Sequence, residues 1–170
     1  MIRLIDLTKT YRGFVAVDGI NLDVPRGRLF GFLGPNGAGK TTTIRMMAGI
    51  LKPTRGRIEL DGIDLAEHPS EAKSRVGFIP DRPFIYEKLT GMEFLRFMGG
   101  LYRLDHGVQP DDRALELLDL FELTDWRDEL IESYSHGMKQ RLVMCSALLS
   151  APRILVVDEP MVGLDPKGAR

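Results

Sequence analysis

Eight residues, Gly34-Pro35-Asn36-Gly37-Ala38-Gly39-Lys40-Thr41, restrict what this chain can fold into more than any other stretch. They fit the pattern G-x-x-x-x-G-K-[ST], a loop that cradles phosphate. Its glycines let the backbone curl until successive N–H groups point inward at an anion. The apolar run Leu29-Phe30-Gly31-Phe32-Leu33 before it reads as a short buried strand. After it, Ile44, Met47, Ala48 and Leu51 recur at helical spacing along one face. Strand, loop and helix in that order is the context the pattern needs, because the helix turns its positive N-terminal end toward the same phosphate. Lys40 is placed to reach the β and γ phosphates of a nucleotide, and the Thr41 hydroxyl to ligate Mg²⁺.

A second signal lies far downstream. Ile154-Leu155-Val156-Val157 reads as a buried strand ending in Asp158-Glu159. A strand this apolar can carry a carboxylate at its C-terminal end beside a phosphate loop. Asp158 would then hold Mg²⁺, directly or through water, and Glu159 would polarise an attacking water as general base. Two acids at a strand end say little alone; downstream of a phosphate loop they supply the metal anchor and the base that hydrolysis needs.

Between these signals the chain changes character twice. Ile20, Leu22 and Val24 alternate with Asn21 and Asp23 as a half-buried strand does. Ile58 and Leu60 alternate with charged residues up to an Asp61-Gly62 turn, an antiparallel edge. Val76-Gly77-Phe78-Ile79 is another short buried strand. The middle is helical. Thr90 with Glu93 forms a capping box, followed by Phe94, Phe97, Met98 and Leu101 on one face. Ala114, Leu117, Leu118 and Phe121 repeat the pattern, Trp126 reads as a packing anchor, and a third helix begins near Ser135. The order predicts an α/β core with a helical insertion over roughly 88–134.

Composition narrows the function classes. With 44% apolar and 28% charged residues, the 170-residue chain belongs with globular proteins of one domain. A net charge of −1 offers no basic footprint for nucleic acid, so none is expected as a partner. One cysteine, Cys145, excludes an internal disulfide and a cysteine-built zinc site; its apolar helical setting reads as a small buried hydrophobe. Arg3, Asp6 and Lys9 break any leader-like apolar run, and no stretch reaches the roughly eighteen apolar residues of a membrane span. If the chain serves transport, another chain supplies the channel.

With these motifs in place, the chain resembles the ABC ATPases over essentially its whole length. Gly34–Thr41 looks like their Walker A loop and Ile154–Glu159 like their Walker B strand. Tyr134-Ser135-His136-Gly137-Met138-Lys139-Gln140-Arg141 resembles their signature motif, and Met161-Val162-Gly163-Leu164-Asp165-Pro166 their D-loop. The resemblance implies a P-loop NTPase (RecA-like) core with an N-terminal antiparallel β subdomain and an inserted helical subdomain. It implies ATP contacts from Tyr11 (against adenine), Gly34, Pro35, Asn36, Gly37, Ala38, Gly39, Lys40, Thr41 and Thr42. It also implies a head-to-tail dimer, in which Ser135 and Gly137 of one subunit face the γ-phosphate held by the other. Mg²⁺ ligands would be Thr41, Asp158 and Asp81, the last standing where the family often has a glutamine.

Three departures accompany the resemblance. His136 and Met138 replace the usual glycine and glutamine of the signature, and His136 adds a titratable group near phosphate. Asp81 supplies a carboxylate in place of an amide; its other reading is an ordinary turn residue in Ile79-Pro80-Asp81-Arg82-Pro83. The family's next strand and switch histidine would follow Arg170, so the chain is expected to be C-terminally incomplete, with ATPase activity of its own in doubt.

The function implied is an ATP-hydrolysing motor that couples dimer closure to translocation by a separate permease, at the cytoplasmic face of the cell membrane. Phe84, Ile85 and Tyr86, in the loop from Asp81 to Glu87, suit a docking surface for that partner or plain core packing. The alternatives are a soluble non-transport ABC ATPase and a nucleotide-binding module without turnover. No sustained heptads separate the two Walker motifs, which argues against the long coiled coils of chromosome-maintenance relatives. One nucleotide domain rather than two argues against translation-factor relatives. The overall pattern is similar to bacterial exporter-type ATPases.

Overall fold

The computed structural model describes residues 1–81, 84–102 and 110–158. They divide into two compact units: Met1–Phe78 with Arg153–Asp158, and Ile79–Pro152.

The first unit opens with a four-stranded antiparallel sheet in the order β2-β1-β3-β4. Its strands are β1 (Ile2–Tyr11), β2 (Phe14–Val24), β3 (Arg55–Leu60) and β4 (Ile63–Asp64). This sheet is the expected N-terminal antiparallel subdomain. Strand β1 was not legible by alternation, because its register shifts near Asp6, whose φ is 48°. The shift puts Leu4 and Leu7, three apart, on the same buried face. The Asp61-Gly62 turn closes β3 onto β4 as predicted. Its Asp61 carboxylate accepts bonds from Arg26 (Nε, 3.0 Å) and Arg153 (Nη1, 2.8 Å), and the two guanidiniums hold its pKa below the ordinary range. One carboxylate thus ties the end of β2 and the approach to β6 (Ile154–Val157) to this turn.

Helix α1 (Lys40–Met47) packs Ile44, Met46 and Met47 into the first unit's core with Leu4, Leu7 and Leu60. Both methionines are core filler, as read from the sequence. The helix ends at Ala48, short of Leu51, because Gly49 turns to φ 68°. Helix α2 (Pro69–Ser74) leads to β5 (Val76–Ile79), which pairs with β6 in a second sheet. Leu155 of β6 is half-exposed, so this strand buries one face rather than two.

The expected strand over 29–33 does not form. Leu29 and Leu33 stand in solvent, while Phe32 packs on the core and meets Phe30 edge to face at 5.2 Å. Apolarity creates a demand for burial but does not supply a ladder partner, and a strand needs both.

The second unit packs α3 (Gly91–Leu101), α4 (Pro110–Leu120) and α5 (His136–Leu148) around one core, with short 3₁₀ turns at Thr124–Trp126 and Ile131–Ser133. The Thr90–Glu93 capping box is present in both directions. Helix α3 buries Met92, Phe94 and Leu95, whereas Phe97 and Leu101 point to solvent. Here the predicted face is rotated: Leu95, not Phe97, completes it. Helix α4 buries Ala114, Leu117 and Leu118 as read. Cys145 is fully buried, its thiol donates to the Leu117 carbonyl, and burial pushes its pKa up to about 12. Among the described residues no helix is long and apolar enough to cross a membrane.

Candidate phosphate-binding site

The loop before α1 owes its shape to two glycines. Gly37 and Gly39 sit at φ 81° and 82°, where a Cβ is disfavoured. At Gly39 space adds a second demand: a Cβ would lie 2.5 Å from the Ala16 carbonyl oxygen and 3.1 Å from Val17 Cγ2. Gly39 is also the N-cap of α1 and has no side chain to occupy the first N–H groups of that helix. Nor is there an acid in the first turn. The helix therefore offers uncapped donors and its positive end at the loop, an arrangement that fits an anion.

Side chains complete the picture from within the same unit. The Lys40 ammonium donates to the carbonyls of Gly34 (2.7 Å) and Pro35 (2.8 Å), spanning the loop. The Thr41 hydroxyl donates to Asp158 Oδ1 at 3.4 Å. Asp158 directly follows β6 and is 3% exposed. A hydroxyl and a buried carboxylate side by side are hard oxygen donors, the type Mg²⁺ takes. Among the described residues no cluster of three or more His, Cys, Asp or Glu could hold a metal by itself. A cation bound by Thr41 and Asp158 would draw its other ligands from water and phosphate, as Mg²⁺ does.

Thr43 is the residue sequence reading missed here. It is buried, and its hydroxyl donates to the Gly39 carbonyl at 3.0 Å, one helical turn back. The signal was the run Thr41-Thr42-Thr43, whose third hydroxyl returns to the loop. Thr42 is half-buried on the same turn. Tyr11 lies at the tip of the β1–β2 hairpin, paired with Phe14. Its ring is 44% exposed, with Lys9 Nζ 5.1 Å from the centroid. Ala16, which meets Gly39, is two residues beyond Phe14, so the hairpin tip and the loop belong to one neighbourhood.

The signature-like residues lie in the second unit. Ser135 is the N-cap of α5 and accepts from the Met138 N–H at 3.3 Å. Its position is set by Tyr134, whose buried hydroxyl donates to the Trp126 carbonyl at 2.5 Å while the two rings meet edge to face. Burial pushes the Tyr134 pKa up to about 12. Trp126, expected to be a packing anchor, is 42% exposed and meets Tyr134 only edge to face. His136 is exposed in the first turn, and a Cβ on Gly137 would meet nothing within 4 Å. Asp81 is half-buried just after β5. Arg82, Pro83, Glu159 and the D-loop-like residues Met161–Pro166 lie outside the described residues.

The loop, the helix and the buried acid define a phosphate-binding protein of the P-loop α/β class. A model of the family described as "ABC transporter" matches residues 17–162, and the chain belongs to that family as an ATP-binding domain. It is 43% identical over 161 residues to the daunorubicin/doxorubicin resistance ATP-binding protein of Streptomyces peucetius, covering 95% of this chain and 48% of that protein. It is 41% identical over 170 residues to the bacitracin transport ATP-binding protein of Bacillus licheniformis, covering 100% and 54%. The chain thus spans about half the length of these curated relatives. Among solved structures, an ATP-binding subunit of an ABC transporter superposes with a TM-score of 0.88 at 33% identity, covering 99% of this chain and 70% of that one. The cbiO1 protein of Clostridium perfringens, part of the transporter complex cbiONQ, gives 0.80 at 27%, covering 98% and 68%.

Proposed function

We propose that this chain is the ATP-binding and ATP-hydrolysing part of a membrane transporter's motor subunit, acting as one of two head-to-tail copies on a separate permease. The observation that carries the reading is Thr41 beside buried Asp158, next to a loop spanned by Lys40. In this reading Lys40 leaves the Gly34 and Pro35 carbonyls for the β and γ phosphates of ATP. The loop N–H groups from Gly34 to Thr42 hold the phosphates, and Tyr11 offers its open ring face to adenine. Thr41 and Asp158 would hold Mg²⁺, which would supply charge neutralisation at the phosphates when bound. Glu159 accepts a proton from the attacking water. The α5 N-terminus, with Ser135 and Gly137, faces the γ-phosphate of the second copy, where the helix's positive end suits an anion.

Two relatives are named for resistance and for transport, which favours a transporter over a soluble accessory ATPase. The exposed aromatic residues Phe84 and Tyr86 are the proposed contact with the permease, and that contact places the subunit at the cytoplasmic face of the membrane. The test is affinity purification of the full-length protein from membranes, with ATPase measured beside Glu159→Gln. A multi-span membrane protein should co-purify, and Glu159→Gln should keep ATP while losing turnover by orders of magnitude. A turnover-competent protein that never brings a membrane subunit with it belongs to the soluble class instead.

A further inference from the structure

Residues 84–90 are fastened to the residues that lead into α5. The Glu132 N–H donates to the Glu87 carbonyl (3.0 Å) and the Ile131 N–H to the Leu89 carbonyl (2.9 Å). Thr90 and Leu130 add an antiparallel bridge. Two ion pairs cross the same seam: Lys88 to Glu132 and Lys139 to Glu87, each at 2.5 Å. The charges interlock, since Lys88 and Glu87, neighbours on one segment, grip an acid and a base on the other. The pairing holds the Glu87 carboxyl below and the Lys88 ammonium above its ordinary pKa.

Lys139 joins the seam to the first turn of α5. Its N–H donates to the Ser135 carbonyl at 3.0 Å, closing the first turn of α5, and its side chain is only 23% exposed. At the other end of the seam, Phe84, Tyr86 and Phe97 stack edge to face at 5.3 and 5.2 Å. Glu87 therefore follows directly on an exposed aromatic group and grips the turn that carries Ser135.

We infer that Glu87–Lys139 and Lys88–Glu132 form a clasp that positions the Ser135 turn. The inference rests on the proposed role of Ser135 at a second copy's nucleotide. The four residues touch no nucleotide in that reading and are positioning residues. Exposed ion pairs contribute little to overall stability, so substitutions here should leave the fold intact and shift geometry alone.

The experiment uses full-length protein carrying Glu87→Lys, Lys139→Glu, and both together. It reads kcat and KM for ATP–Mg²⁺, and hydrogen exchange at the Met138 and Lys139 amides. Each single reversal should lower kcat about two- to fivefold, the scale such pairs carry. KM should hold, since Lys40 and Thr41 are untouched, and exchange at both amides should quicken. The double reversal should restore kcat and exchange together. Singles indistinguishable from wild type, or a double as impaired as the singles, overturn the clasp. A wild-type protein without ATPase activity sinks the functional reading instead, and the exchange arm then decides the clasp alone.

Discussion

Replacing Gly39 by alanine separates the two demands made on the phosphate loop. The left-handed backbone at φ 82° costs a residue with a Cβ about 1–2 kcal/mol. The new methyl would also press on the Ala16 carbonyl at 2.5 Å and on Val17 Cγ2 at 3.1 Å. Backbone cannot yield like a side-chain tip, and overpacking of this kind costs about 1–3 kcal/mol more. The sum, about 2–5 kcal/mol, falls on a chain whose whole stability is on the order of 5–15 kcal/mol. Gly37 is the control: its φ is 81°, yet a Cβ there meets nothing within 4 Å, so only the backbone cost applies. The assay is urea unfolding with titration of a fluorescent ATP analogue on both variants. Gly39→Ala should lower the unfolding midpoint clearly more than Gly37→Ala, and weaken nucleotide binding more. Equal effects would refute the contact between loop and β2.

Three further outcomes follow from the same geometry. Lys40→Ala removes two charge-assisted contacts to phosphate at about 1.5–3 kcal/mol each, so ATP affinity by calorimetry should fall about a hundredfold or more; unaltered affinity would remove Lys40 from the phosphates. Thr43→Val keeps shape but removes the hydroxyl's bond to the Gly39 carbonyl, which retains the Thr43 N–H, so urea unfolding should show a loss of about 0.5–1.5 kcal/mol. Cys145 and Tyr134 both have pKa values raised to about 12 from 9.0 and 10.0, meaning that the fold holds them neutral. Their contribution is complete below pH 9 and is lost as pH rises toward 12, so the unfolding midpoint should fall over that window, and fall less steeply in Cys145→Ala.

The signals that depended on local chemistry were legible in the sequence. The Thr90–Glu93 box and the Ser135 cap each need only a few adjacent residues, and each formed as read. Signals that depended on a distant partner were not. Alternation failed on β1 because the register shift at Asp6 places Leu7 where a regular strand would not. The run 29–33 had the apolarity of a strand without a ladder to join. On α3, Leu95 and Phe97 both suit a helical face, and packing against α4 and α5 selected Leu95. At the site, Thr41 and Asp158 could be named from sequence, but their adjacency across 117 positions came only with the fold. The clasp at Glu87 and Lys139 was invisible for the same reason: two charges 52 positions apart read as solvated surface.

The central claim is that Gly34–Thr41 holds half of a nucleotide site that Ser135 of a second copy completes. Its most direct test is the molar mass by light scattering of full-length Glu159→Gln, with and without ATP–Mg²⁺, together with a count of bound nucleotide. The account predicts a monomer that becomes a dimer holding two ATP, and a Ser135→Arg version that binds one ATP per chain and stays monomeric. One ATP per chain with no change of mass in Glu159→Gln itself would contradict it.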